Sequence, residues 1–146
     1  VNIDKDAINS SARKFEVKLV WAPYNDKFYR IPLDLSKKHN PKKSHLRCRG
    51  LSNCATQRDG KLFPCAHVCY SDLLQDQFGD TLDLSAITPS KSDYIDIFEA
   101  KNGDEILDFL LKPVPWCGFC DFDSFHYFDW GRTNCEPGEW IKPRNS

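Results

Sequence analysis

The chain has 146 residues, with 20 Lys and Arg against 21 Asp and Glu, and 40% of its residues are hydrophobic. This composition supports a hydrophobic core and excludes wholesale disorder, and no apolar run approaches the roughly 20 residues that a membrane span needs. The charge is unevenly placed: residues 1–49 hold twelve Lys/Arg against five Asp/Glu, a net charge of +7, and residues 50–146 hold eight against sixteen, a net charge of −8. The sequence begins with Val1, contains no Met and opens without a signal-peptide pattern, which predicts a fragment of a longer cytoplasmic polypeptide.

Residues 1–44 are predicted to be an N-terminal extension that contains a β-hairpin. Residues 1–15 are polar and non-periodic, so we expect a linker there. The alternating pattern of 15–22 predicts a strand, with 27–33 as its hairpin partner and 35–46 as an exposed loop. The basic stretch at 36–49 lacks the interleaved aromatic residues that stack on bases, so we expect no nucleic-acid partner.

A second hairpin is predicted over 52–65, because Asp59-Gly60 supplies the positive φ angles of a tight turn. Apolar residues at three- and four-residue spacing then predict a helix over 66–78, with Gly79 just beyond its end. We expect a short strand at 93–98 and a second helix at 102–113, and 123–146 is an aromatic tail. The fold class is therefore a small α+β domain with hairpins followed by helices.

Seven cysteines make an odd count, and with no secretory signal a closed disulfide framework is disfavoured. Cys117-Gly-Phe-Cys120 is a C-x-x-C turn that lets two thiolates converge on one metal. Redox proteins share this motif, but they place it at a helix start in a βαβ unit, whereas here it follows a helix and a proline-rich bend. A second pair of thiolates would complete a zinc site or a four-iron cluster, and its candidates are Cys48, Cys54, Cys65 and Cys69.

The spacing Cys48-x11-Gly60-x4-Cys65, with C-x-x-C at 117–120 further along the chain, resembles a known pattern. It is similar to that of the SPASM and twitch domains, which bind auxiliary iron–sulfur clusters in radical S-adenosylmethionine (radical SAM) enzymes. The resemblance covers residues 45–122. It implies a cysteine-ligated cluster in this region of the chain.

Carried onto this sequence, the resemblance implies one [4Fe-4S] cluster. The longer SPASM form needs two further cysteines at positions that are here His126 and Trp130, so the twitch form with a single cluster fits better. The implied ligands are Cys48, Cys65, Cys117 and Cys120.

Three cysteines lie outside this implied ligand set. Some members of the family use a cysteine at the position of Cys54, and a related arrangement places a third ligand after C-x-x-C, near Cys135, so both are alternative ligands. Cys69 lies on the apolar face of the predicted 66–78 helix, where a buried thiol is expected.

Radical SAM catalysis uses a C-x-x-x-C-x-x-C loop, and this chain offers only Cys65-x-x-x-Cys69 followed by Asp72. The resemblance therefore implies a non-catalytic fragment, an auxiliary [4Fe-4S] domain that relays electrons or supports the structure. Its partner would be the radical SAM barrel of the same polypeptide, which would bind S-adenosylmethionine. The alternative is a zinc-stabilised structural or interaction domain, because four thiolates also suit zinc. A metal-free core with buried thiols is a third possibility.

Overall fold

The computed structural model of the chain describes residues 3–22, 27–49 and 54–142. The fold is α+β, as the sequence predicts. The described part contains short helices around two small antiparallel sheets. The α-helices are α1 Lys5–Lys14, α2 Pro41–Arg49, α3 Ala66–Cys69, α4 Ser71–Phe78 and α5 Gly103–Leu110, and the strands are β1 Lys27–Arg30, β2 Thr56–Arg58, β3 Lys61–Phe63, β4 Ile95–Asp96 and β5 His126–Asp129.

The predicted hairpin around Asp59-Gly60 is present and joins β2 to β3. Asp59 and Gly60 adopt φ angles of 51° and 75°, and Arg58 pairs with Lys61 across the turn. β4 pairs with the other edge of β3, so the hairpin becomes a three-stranded sheet. The predicted start at residue 52 lies outside the described residues. Because β3 ends at Phe63, the turn fixes where Pro64 and Cys65 leave the sheet.

The predicted helix over 66–78 is divided into α3 and α4 at Tyr70, whose backbone is not helical (φ −113°, ψ 23°). At this break in the helix, side chains donate hydrogen bonds to the backbone carbonyls. The Ser71 hydroxyl donates to the Val68 carbonyl (3.2 Å), and the Arg58 guanidinium donates to the Cys69 carbonyl (3.3 Å). Cys69 is buried, as expected. The other helix prediction, 102–113, is confirmed in a shorter form as α5, and the predicted strand 93–98 is reduced to β4.

The prediction of a hairpin between 15–22 and 27–33 is wrong. Residues 17–22 form no strand among the described residues, and β1 pairs instead with β5, the strand of the aromatic tail. Aromatic contacts across this ribbon, such as Phe28 with Phe128 at 6.2 Å, favour the long-range pairing. The polar linker predicted for 1–15 contains α1, which Asp4 caps by accepting a hydrogen bond from the Ala7 N–H (3.0 Å).

The loop predicted for 35–46 is also incorrect, because α2 begins at Pro41. The Asn40 side chain accepts hydrogen bonds from the backbone N–H groups of Lys42 (3.0 Å) and Lys43 (3.1 Å), and Pro41 occupies the first helical position. Asn followed by Pro is a helix-start signal. The predicted boundary between residues 44 and 45 therefore falls inside a helix.

The core lies between α2, the hairpin and the segment that carries C-x-x-C. Its largest fully buried side chains are Trp116 and Phe119, whose rings meet edge to face at 5.5 Å. The Trp116 indole N–H donates to the Ile87 carbonyl (2.9 Å), so the buried polar atom of this ring is satisfied. No helix in the described part of the chain is long and apolar enough to cross a membrane.

Replacing Gly60 with Ala is expected to lower the free energy of unfolding by about 1 kcal/mol or more, because an L side chain at φ 75° is strained. The added Cβ would also lie 2.7 Å from the exposed Phe98 ring, which must move. Urea unfolding monitored by circular dichroism measures the loss.

The matched control is Gly138→Ala, since an added Cβ there meets nothing within 4 Å and the φ angle is not positive. A change at Gly138 as large as that at Gly60 would contradict the role assigned to the turn.

Candidate metal centre

Cys48 reaches the centre of the molecule from α2. The inward face of this helix carries Cys48 together with Ser44 and His45, which precede it by four and three residues and so lie on the same side. The Ser44 hydroxyl donates to the Cys120 carbonyl (3.2 Å), and the His45 ring hydrogen-bonds to the Leu111 carbonyl through Nε2 (3.2 Å). These two contacts fix α2 against the segment that contains the C-x-x-C motif.

Cys65 is placed by the hairpin and stands at the N-cap of α3 in an extended conformation. Burial raises the pKa of its thiol, and the backbone N–H groups of Val68 and His67 at the start of the helix partly offset that rise. Such donors at a helix start favour a thiolate over a thiol. The sequence places Cys65 here because Pro64 ends the strand and leaves the next turn free to begin a helix.

Cys117 and Cys120 lie on a 3-10 helix, Pro115–Phe119, and at the residue that follows it. This segment is anchored by Asp93, whose buried carboxylate accepts the Trp116 backbone N–H (2.7 Å) and the Ser90 hydroxyl (2.6 Å). The tight turn that brings the two thiols to one side is closed by the Cys120 N–H, which donates to the Cys117 carbonyl (3.3 Å).

All seven cysteines are among the described residues, and all are free thiols. Five of them line one cavity of about 260 Å³ whose walls are mainly apolar, while Cys69 and Cys135 do not line it. The structure thus gathers the four predicted ligands, together with the alternative Cys54, from three separate parts of the chain. The lining thiols are Cys48, Cys54, Cys65, Cys117 and Cys120.

The thiols of this cavity perturb one another. Burial raises the pKa of Cys65 to about 12, and the neighbouring Cys117 and Cys48 add to the shift. Burial also raises the pKa of Cys120 well above its ordinary value, with further contributions from Cys65, Cys117 and Cys48. Without a bound cation these thiols stay protonated at neutral pH, so metal binding must displace their protons.

A zinc ion and a four-iron cluster require different spacings of their four sulfurs. A single zinc ion with bonds of about 2.3 Å holds its four sulfurs about 3.8 Å apart, whereas the sulfurs around a four-iron cluster are about 6 Å apart. Among the described residues, no three of the seven thiols lie within 4.8 Å of one another. The thiols are therefore not arranged as a preformed site for a single ion, and four thiolates are equally the donor set of a four-iron cluster.

A group that sequence reasoning missed lies beside the C-x-x-C segment. Ligand atoms of Asp34, His39 and Asp121 lie within 4.8 Å of one another, and both carboxylates are buried. Each aspartate carries a local signal, since the Ser36 hydroxyl donates to Asp34 (2.6 Å) and the Ser124 hydroxyl to Asp121 (2.7 Å). Such local serine–aspartate pairs predict caps and turns. They do not predict that Asp34 and Asp121, which are far apart in the sequence, lie next to each other in the fold.

This group is a buried charge network that already has its cations. The Lys142 ammonium lies 2.7 Å from Asp121, and the Lys38 ammonium lies 3.0 Å from Asp34. Burial alone would raise the pKa of Asp121, but Lys142, the Ser124 hydroxyl and two backbone N–H groups lower it to about 2. In the same way, hydrogen bonds from Ser36 and the charge of Lys38 hold the pKa of Asp34 well below its usual range against the effect of burial.

Comparisons of the chain with protein-family models, with curated proteins and with solved structures found no match.

Asp121→Asn is expected to destabilise the fold by about 2 kcal/mol at pH 7, since a buried carboxylate loses its charge-assisted hydrogen bonds. The pKa of Asp121 is lower in the folded chain, about 2, than the unfolded value of about 4. Its stabilisation is therefore present above pH 4 and is lost as the pH falls toward 2. Urea unfolding between pH 7 and pH 2.5 should show the two proteins converging in acid.

Asp123→Asn is the control, because Asp123 pairs with Arg47 at an exposed position and such pairs contribute less than about 1 kcal/mol. A gap between wild type and Asp121→Asn that persists unchanged at pH 2.5 would show that the destabilisation does not come from the charge.

Proposed function

We propose that this chain is an auxiliary iron–sulfur domain in which four cysteines bind one [4Fe-4S] cluster. The observation that carries the proposal is the convergence of four thiols, from α2, the hairpin and the C-x-x-C segment, on one apolar cavity. The ligands are Cys48, Cys65, Cys117 and Cys120. Cys54 lines the same cavity but is exposed, and Cys135 is exposed and lies outside the lining, so both stay outside the ligand set.

A bound cluster supplies one-electron chemistry, because it accepts and returns a single electron at a potential that its surroundings set. The residues of this chain control those surroundings. Trp116, Val68 and Phe122 line the cavity with apolar surface and restrict water. The backbone N–H groups of Val68 and His67 at the start of α3 partly offset the rise that burial causes in the pKa of Cys65, and so favour negative charge there.

With four protein thiolates as ligands, no iron is left open for a substrate. Electron relay or structural support is therefore the role that this ligand set favours. The catalytic loop of a radical SAM enzyme needs a third cysteine at the position of Asp72, which this sequence does not supply. The domain would accordingly serve a radical SAM barrel in the same polypeptide, and that barrel would bind S-adenosylmethionine.

A zinc-stabilised domain uses the same four donors and is the competing candidate. Among the described residues no three thiols lie within 4.8 Å of one another, so a zinc ion would have to draw its four sulfurs together to about 3.8 Å. A four-iron cluster accepts a wider spacing of about 6 Å between its sulfurs.

Anaerobic reconstitution with iron and sulfide should yield a brown protein with about four iron and four sulfide per chain. Cys48→Ala or Cys65→Ala should lose most of this iron, because an incomplete ligand set no longer holds the cluster. Cys69→Ala is the matched control, since its buried thiol lies outside the cavity lining and its loss leaves only a small void. Iron and sulfide assays with visible absorption give the readout.

Equal iron loss in the Cys69 variant would refute the ligand assignment. A colourless protein with one zinc per chain, even after anaerobic preparation, would establish the competing zinc domain. Iron loss in Cys54→Ala together with retention in Cys48→Ala would keep the cluster and change its ligand.

A further inference from the structure

The outer face of α2 is a strongly basic surface next to the cavity. The helix Pro41–Arg49 contains four Lys and Arg residues and no acidic residue, and its inward positions are taken by Ser44, His45 and Cys48. Leu46 lies among the charged residues and is 72% exposed. We define the α2 outer face as Lys42, Lys43, Leu46, Arg47 and Arg49.

Little of this positive charge is neutralised by acidic side chains in the described part of the chain. Within the described part of the chain, the ammonium groups of Lys42 and Lys43 pair with no carboxylate. Arg49 donates to the Leu110 carbonyl (3.0 Å) and so meets a neutral group. Among the described residues, only Arg47 of this face has an acidic partner, the exposed Asp123, and it also donates to the Phe122 carbonyl (3.0 Å).

Lys42 and Lys43 interact unfavourably with the dipole of α2. They lie in the first turn of α2, where the positive end of the helix dipole favours Asp or Glu. The three other α-helices of eight or more residues that the structure describes, α1, α4 and α5, have acidic residues in their first turn. A pair of cations at this position therefore adds nothing to the stability of the helix.

The α2 outer face borders the opening of the cavity. Arg49 lines the cavity and hydrogen-bonds to the end of α5, and two leucines of the cavity wall at that end, Leu107 and Leu111, are 59% and 58% exposed. Cys48 belongs to the same helix, only about 8 Å along the axis from Lys43. Exposed apolar side chains with a basic rim thus lie close to the predicted cluster.

We infer that the α2 outer face and the cavity opening form the docking surface for an acidic one-electron carrier protein. This inference rests on the proposed function. Carboxylates of the carrier would face Lys42, Lys43 and Arg49, and Leu46 would supply the apolar contact. The reduced carrier would give up one electron to the bound cluster and be oxidised by one electron, with no bond formed or broken.

The distribution of charge in the chain favours an acidic partner for the α2 outer face. Residues 50–146 have a net charge of −8, so an acidic carrier is repelled by most of the molecule and steered toward the basic part. Weak electron-transfer complexes bury less than about 1,200 Å², so a patch of one helix and its neighbours is large enough. The α2 outer face carries no aromatic side chain on which a nucleic-acid base would stack.

The test uses reconstituted protein and reduced flavodoxin as the acidic carrier, with rates measured by stopped-flow absorbance at 50 mM and 500 mM salt. The double variant Lys42→Glu/Lys43→Glu should lower the second-order rate constant at least tenfold at low salt, and the difference should largely disappear at high salt. The control Lys91→Glu/Lys101→Glu changes the net charge equally, at exposed positions outside α2, and should change the rate less than threefold.

Other outcomes separate the two proposals. Equal rate loss in both double variants would overturn the docking surface, because net charge alone would then explain it. If iron assays show that no cluster forms, the proposed function fails, and docking is judged by titrating the apoprotein with oxidised flavodoxin. In that titration, binding that Lys42→Glu/Lys43→Glu weakens supports the surface, and no binding refutes it. Tighter binding of a 20-nucleotide RNA than of flavodoxin, lost in the same variant, would also refute it.

Discussion

The extended backbone at 32–34 is the constraint on which the rest of the structure depends. On one side the Asp34 N–H donates to the Phe119 carbonyl (2.7 Å) and the Pro32 carbonyl accepts the Asp121 N–H (2.9 Å). On the other side the Leu33 N–H donates to the Trp140 carbonyl (2.9 Å), and the Leu33 carbonyl accepts from residue 142 (2.8 Å). A buried strand-like segment thus joins the C-x-x-C turn to the end of the chain, so the N-terminal part cannot be separated from the site.

The buried charges follow from that arrangement. Pairing 32–34 with 119–121 brings Asp34 and Asp121 close together, and two buried carboxylates repel unless cations and donors surround them. Lys38 and Lys142 come from the segments on either side of this pairing. The backbone contacts that bring the two carboxylates together therefore also bring the two ammonium groups that neutralise them. Because Asp121 directly follows Cys120, this network fixes the position of the second cysteine of the motif.

Local signals in the sequence predicted the parts of the fold that local chemistry determines. Asp59-Gly60 required the hairpin turn, and Pro113 and Gly79 limited the helices that precede them. The failures have two origins: Asn40-Pro41 was a helix start that went unrecognised, and the partner of β1 lies about a hundred positions away in β5. Alternation in 15–22 indicated a strand, but a strand needs a partner, and periodicity does not name one. The gathering of Cys48, Cys65, Cys117 and Cys120 at one cavity was accessible only through the order and spacing of the cysteines.

The cavity itself sets a condition on any cation that it binds. Four thiols in apolar surroundings have raised pKa values because each thiolate would be poorly solvated and would repel the next. A cation removes both penalties at once, so its binding free energy stabilises the folded chain and releases protons. Among the elements that supply the thiols, α2 and the C-x-x-C segment are connected directly by the hydrogen bonds of Ser44 and His45. A cluster across the cavity would add a covalent connection between the hairpin and these two elements to the apolar packing that the core already provides.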